Sequence, residues 1–223
     1  MNQFIRNIDI VWENLPFLLN GLELTIILAI VSNFVSFFLG IALALCRLSK
    51  RFLISYPATG YIEVVRATPL IMVIFWVYFM IPIVTHMTAN VITSVLIAFI
   101  GFNCSYIAEI VRAGILSLPK GQAEAAKVTG LNYFETMYYV ILPQALKNMI
   151  PAVINRFVAT LKSTSLAYII GATEFFRAAV IVNNREFVPY EIFAFVAVVY
   201  FICCYVLSLG SQIIEKRLTV GQR

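Results

Sequence analysis

Charge is what this sequence lacks most. Only 12% of its 223 residues are charged, 61% are hydrophobic, and the mean hydropathy is +0.92. Soluble domains carry about 25% charged residues, so this chain has too few polar groups to cover a water-facing surface. A soluble enzyme or binding domain is excluded, and lipid must be the solvent for much of the chain. Histidine is nearly absent as well. His86, in "PIVTHMTANV", is the single copy, and one histidine without a partner makes neither a metal cage nor an acid–base pair. Cys46, Cys104, Cys203 and Cys204 all fall inside apolar runs with no disulfide or metal spacing and read as small hydrophobes. No G-x-x-x-x-G-K-S/T phosphate loop is present. The chain is therefore expected to hold no catalytic residue, no metal and no cofactor of its own. The opening "MNQFIRNIDIVWENLP" has no basic stretch feeding an apolar core, so no cleavable signal is expected.

What is present is a set of long apolar runs. A spanning helix needs about 20 predominantly apolar residues, because hydrocarbon offers backbone groups no partners. Five runs qualify: residues 24–45, 61–80, 91–112, 151–172 and 190–214. The expectation is an all-α membrane protein of about five transmembrane helices in a single domain, 1–223. The net charge of +5 does not point to nucleic acid, since the cations are scattered around apolar spans with no basic patch. Nine of the sixteen, Arg47, Lys50, Arg51, Lys120, Lys127, Lys147, Lys216, Arg217 and Arg223, fall on one side if the first span ends inside. Arg6, Arg177 and Arg185 then lie outside. By the positive-inside rule the N-terminus is outside, the C-terminus inside, and residues 113–150 form the largest cytoplasmic segment.

That segment contains "EAAKVTGLNYFETMYYVILP" (124–143). Ser117 suits an N-cap and Pro119 a first helical turn. Ala123, Ala125 and Ala126 favour a slim helix, and Gly130 suits its end. Pro119–Thr129 is thus expected as one short helix and "YFETMYYVI" as a second, with Leu142-Pro143 breaking the chain before it re-enters the membrane. On periodicity alone, such helices sit either in another protein's groove or flat on lipid.

The spacing of Glu124-Ala125-Ala126, Gly130, Val140 and Leu142-Pro143 resembles the EAA loop of ABC importer permeases, with Val140 where that pattern has Ile. "YIEVVRATPLIMVIFWVYF" (61–79), "YIAEIVRAGILSLPKGQAEAA" (106–126), "ILPQALKNMIP" (141–151) and "LKSTSLAYII" (161–170) resemble the polar amino-acid permeases of the histidine/glutamate/aspartate type. The resemblance implies a type I ABC importer-like fold in the cell (inner) membrane. It implies that residues 119–141 are coupling helices that dock on a cytoplasmic ABC ATPase dimer, which binds the ATP and magnesium. Gly121, Glu124, Ala125, Ala126, Gly130, Leu142 and Pro143 would carry that coupling. The implied partners are a second permease copy or a related permease, and an extracytoplasmic amino-acid-binding protein.

Ionisable residues within spans are costly and mark function by default. Glu63 and Arg66, three apart, suit a local ion pair near the inner end of the second span, and Glu109 and Arg112 repeat the pattern. Such pairs can equally orient a helix and snorkel to the interface. In the fourth span Arg156, Thr160 and Ser163 follow an i, i+4, i+7 spacing that shares one helical face, with Lys162 beside it. These cations and hydroxyls suit an anionic passenger. They would equally serve pairing with Glu63, Glu109 or Glu191 and hydroxyl contacts between helices. The expected substrate pathway therefore comprises Arg156, Thr160, Lys162, Ser163, Glu63 and Arg66, with glutamate or aspartate the expected cargo and glutamine or another polar amino acid the alternative. Glu174, Arg177, Arg185 and Glu186 are expected outside, in water or against a binding protein. An ion-driven carrier would show inverted repeats or midplane carboxylates, an intramembrane enzyme a nucleophile–base pair at depth. Neither is found, and a non-transporting scaffold would have no use for the EAA-like loop.

Overall fold

The computed structural model describes residues 2–86 and 88–220, all of whose regular structure is helical. Arg223 and the side chains of Arg6, Lys216 and Arg217 lie outside the described residues. The helices are α1 (Asn2–Glu13), α2 (Leu15–Arg47), α3 (Phe52–Ala67), α4 (Leu70–Thr85), α5 (Val91–Leu116), α6 (Lys120–Val128), α7 (Tyr133–Glu135), α8 (Leu142–Ser163), α9 (Phe175–Glu186) and α10 (Pro189–Val220). A π-helical turn, Thr136–Ile141, joins α7 to α8, and a 3-10 segment, Thr164–Ile170, follows α8. Among the described residues three helices are long and apolar enough to cross a membrane, and the number rises to five if each of two broken helix pairs forms one span.

Where the helices differ from expectation, proline chemistry explains the difference. The expected continuous helix over 61–80 is interrupted at Thr68-Pro69. Thr68 is extended (φ −97°, ψ 135°), as a residue preceding proline is pushed to be, and the Thr68 hydroxyl donates to the Val64 carbonyl at 2.8 Å. At Leu142-Pro143 the reverse holds, and the expected break is absent. The Leu142 N–H reaches back five residues to the Met137 carbonyl. Such a widened turn accommodates a proline without ending the helix, and α8 runs on through Pro151 as well. The first span also starts earlier than 24, at Leu15. Hydropathy marks what lipid covers, whereas the helix itself continues through Glu23.

The chain divides into two compact units. One draws on Met1–Phe34, Pro69–Ile100 and Phe157–Leu207, the other on Val35–Thr68, Gly101–Arg156 and Ser208–Arg223. In the first, Leu18, Phe175, Ala178, Val182 and Ile192 form a buried apolar core. In the second, Ala44, Ile62, Ile107, Val111, Ala145 and Met149 do so. Helices approach closely in the second unit because glycine permits it. A Cβ added at Gly40 would lie 2.6 Å from the Ile107 side chain, and one at Gly114 would lie 2.2 Å from Met149 Cγ. Small residues at such contacts are the usual means of packing helices in lipid, where no hydrophobic drive pulls them together. On α10, Phe201, Ile202, Tyr205 and Val206 are each more than half exposed, as side chains facing acyl chains would be.

Candidate functional site

The segment after α5 is built as a short helix held at both ends. Ser117 does not cap it; its hydroxyl donates to the Gly114 carbonyl at 2.8 Å, and Pro119 takes the N-cap position with no side-chain bond. A proline there needs no partner for a missing N–H. At the other end Gly130 is left-handed (φ 88°), and the Leu131 N–H reaches the Ala126 carbonyl at 3.2 Å. Closure of this kind satisfies the helix's last carbonyls and is natural for glycine. Ala126 is buried, whereas Gly121, Glu124, Ala125 and Lys127 are exposed and Val128 is 88% exposed. α6 thus presents a slim, largely uncommitted face.

The turn that follows is fixed by a reciprocal cap. Asn132 Oδ1 accepts from the Glu135 N–H at 3.0 Å while the Asn132 N–H donates to Glu135 Oε2 at 2.8 Å. The spacing N-x-x-E in "NYFE" carries that signal. Leu142 is half-buried and Pro143 exposed at the head of α8.

The two expected local ion pairs have different fates. Glu109 and Arg112 do pair, at 2.5 Å. Glu63 and Arg66 do not pair with each other: Glu63 meets Arg47 at 3.3 Å and Arg66 meets Glu109 at 3.6 Å. Arg47 also meets Glu109 at 2.7 Å. Glu109 is therefore the hub of three arginines within one unit. A carboxylate only a fifth exposed gains more from a nearby cation than one in open water, so Arg47 draws Glu63 and Glu109 into one network. Arg47 was placed in a cytoplasmic turn by the sequence, and only the fold brings it to these acids.

Arg156 meets an amide and two aromatic rings. Its Nε donates to Asn103 Oδ1 at 3.0 Å, and its guanidinium lies 4.0 Å from the Tyr106 ring centroid and 5.3 Å from that of Phe102. Arg66 also stacks over Tyr106, at 5.3 Å. Cation–π contacts of this kind help to hold a partly desolvated charge. Asn103 and Tyr106 were not singled out in the sequence, where they sit inside an apolar run.

Thr160 and Ser163 belong to the other unit from Arg156. Thr160 is buried and donates to Asn33 Oδ1 at 3.1 Å. Ser163 donates to the Ala159 carbonyl of its own helix at 2.9 Å, and Thr164 and Ser165 bond back to α8 in the same way. Lys162 is exposed. Glu174, expected in water, is fully buried. It caps α9, accepting from the Phe176 and Arg177 N–H groups at 2.9 and 2.8 Å, with the Thr25 and Tyr200 hydroxyls at 3.4 and 3.3 Å. Arg177 donates to the Tyr168 carbonyl, and Arg185 pairs with Glu186 and donates to Asn14. His86 is exposed in a left-handed turn at the end of α4.

Residues 36–220 match the family described as binding-protein-dependent transport system inner membrane component. The chain belongs to that family. A probable glutamine ABC transporter permease, GlnP of Bacillus subtilis (strain 168), is 36% identical over 215 residues, covering 93% of this chain and 96% of that one. The glutamate/aspartate import permease GltK of Escherichia coli O157:H7 is 31% identical over 211 residues, covering 92% and 94%. Among solved structures, an amino acid ABC transporter with histidines superposes with a TM-score of 0.88 at 31% identity, covering 93% of this chain and 96% of that one. The protein is thus the multi-pass permease component of an ABC importer, with the type I fold. ATP hydrolysis lies in a partner chain, and the family implies an ATPase and a binding protein as partners.

Proposed function

We propose that this permease carries acidic amino acids, glutamate or aspartate, across the membrane as half of a two-permease core. Permeation of a polar amino acid is the common ground, because the relatives named above are permeases for glutamine and for glutamate and aspartate. The observation that favours an acidic cargo is Arg156. Its guanidinium is positioned by Asn103 and stacked on two aromatic rings within an apolar helix bundle, and a cation at such depth marks the path of an anionic passenger by default. Lys162 and Ser163 lie one to two turns further along α8 and would add a cation and a hydroxyl to the pathway. Thr160, Glu63 and Arg66 contribute through the bonds that hold the helices. The N-terminus lies outside, and the cytoplasmic loop 113–150 passes ATPase closure to the spans. Gly121, Glu124, Ala125, Ala126, Gly130, Leu142 and Pro143 form or shape that contact, and ATP with magnesium stays on the partner. Alternating access follows from this arrangement, and no covalent step occurs in the chain.

The test is uptake by the reconstituted transporter, with labelled glutamate, aspartate and glutamine in competition. Arg156→Glu is expected to depress acidic uptake tenfold or more relative to glutamine, whereas Arg156→Lys retains a preference for acids. Unchanged selectivity in Arg156→Glu would contradict the acidic-cargo reading.

A further inference from the structure

A cavity of about 1180 Å³ lies within the Val35-containing unit, beside the end of α2. It exceeds the roughly 300–1,000 Å³ of ordinary small-molecule pockets. Leu45, the last residue of the uncharged run 24–45, lines it. The cavity therefore opens where hydrocarbon gives way to water, whichever side of the membrane that is.

Its wall combines three chemistries. Lys50 and Arg51, from the turn after α2, and Lys127, from the last turn of α6, supply cations. All three are exposed, and among the described residues none lies within ion-pair distance of a carboxylate. The acid in the lining, Glu135, is engaged by the Asn132 N–H, so three cations stand against one carboxylate, a net of +2. Leu45, Leu48, Met137 and Leu142 give an apolar surface, and Ser49, Tyr133, Tyr138 and Tyr139 complete the lining.

We infer that this cavity holds the headgroup and glycerol region of an anionic phospholipid. Cations clustered at the end of a span attract anionic headgroups, tyrosines sit naturally at headgroup level, and Leu45 and Leu48 at the end of α2 suit the first acyl carbons. Inorganic phosphate would use the cations alone, and a zwitterionic lipid would use the apolar surface without the charge. Lys127, Glu135, Met137, Leu142 and the tyrosines also fall in the segment proposed to dock on the ATPase. Lys50 and Arg51 do not, so they separate a lipid site from a protein-docking face.

The complete transporter, purified with its partner chains in mild detergent, is mixed with equal phosphatidylglycerol and phosphatidylcholine of matched chains, and retained lipid is identified by native mass spectrometry. Phosphatidylglycerol is expected to be preferred and to resist excess inorganic phosphate. In Lys50→Gln/Arg51→Gln its retention should fall about tenfold or more, whereas Lys50→Arg/Arg51→Lys, which keeps both charges, preserves the preference. Equal retention of the two lipids overturns the inference. So does displacement by inorganic phosphate, which would indicate a free-anion site, or a double variant that keeps its lipid but loses the ATPase, which would indicate a docking face.

Discussion

At the scale of single residues, the charges in this chain are organised by partners that sequence spacing does not show. Glu109 serves Arg47, Arg66 and Arg112 together. Removing one carboxylate from a buried pair costs about 3–5 kcal/mol, and from an exposed one under about 1. With Glu109 a fifth exposed and Glu63 65% exposed, Glu109→Gln is expected to lower stability by about 2 kcal/mol and Glu63→Gln by less than about 1. Thermal unfolding of the two variants in one detergent measures the difference, and an equal loss would deny Glu109 its central place. Glu174 offers a second comparison. Glu174→Ala removes a helix cap and strands buried donors, for about 2–3 kcal/mol, whereas Glu174→Gln keeps an acceptor and should cost less by the same assay. Its burial was illegible in the sequence because "GATEFFRAA" follows an apolar span and reads as the start of a wet loop. The short helix closed at Gly130, by contrast, was legible because its signals lie in spacing along one short stretch.

At the scale of elements, long apolar runs announced the helices, but not where they break. Two prolines in similar settings behave oppositely: the chain is extended before Pro69, while a π-turn carries the helix through Pro143. The missing N–H was visible in both; whether neighbouring carbonyls could be re-satisfied was not. Close helix contacts were equally hidden, since Gly114 looks like any glycine near a helix end. Gly114→Ala is expected to cost about 1–3 kcal/mol through its clash with Met149. In a Met149→Ala background, where the obstructing atoms are gone, the same change should be close to neutral. A double-mutant cycle by thermal unfolding measures that coupling, and a penalty that persists without the Met149 side chain would place the strain elsewhere.

At the scale of the whole molecule, scarcity of charge decides the environment, and the exposed face of α6 is the proposed contact with the partner ATPase. A slim helix closed by left-handed Gly130 leaves Gly121, Glu124 and Ala125 exposed. On the proposed reading it is the part through which the partner ATPase acts on the spans. Affinity purification of the tagged chain from its native membranes, with bound proteins identified, addresses this most directly. The account predicts recovery of an ABC ATPase with the wild-type chain and its loss from Glu124→Ala/Gly130→Val, a variant still found in the membrane and still cooperatively folded. Recovery of the ATPase in equal amount from that variant would contradict the account.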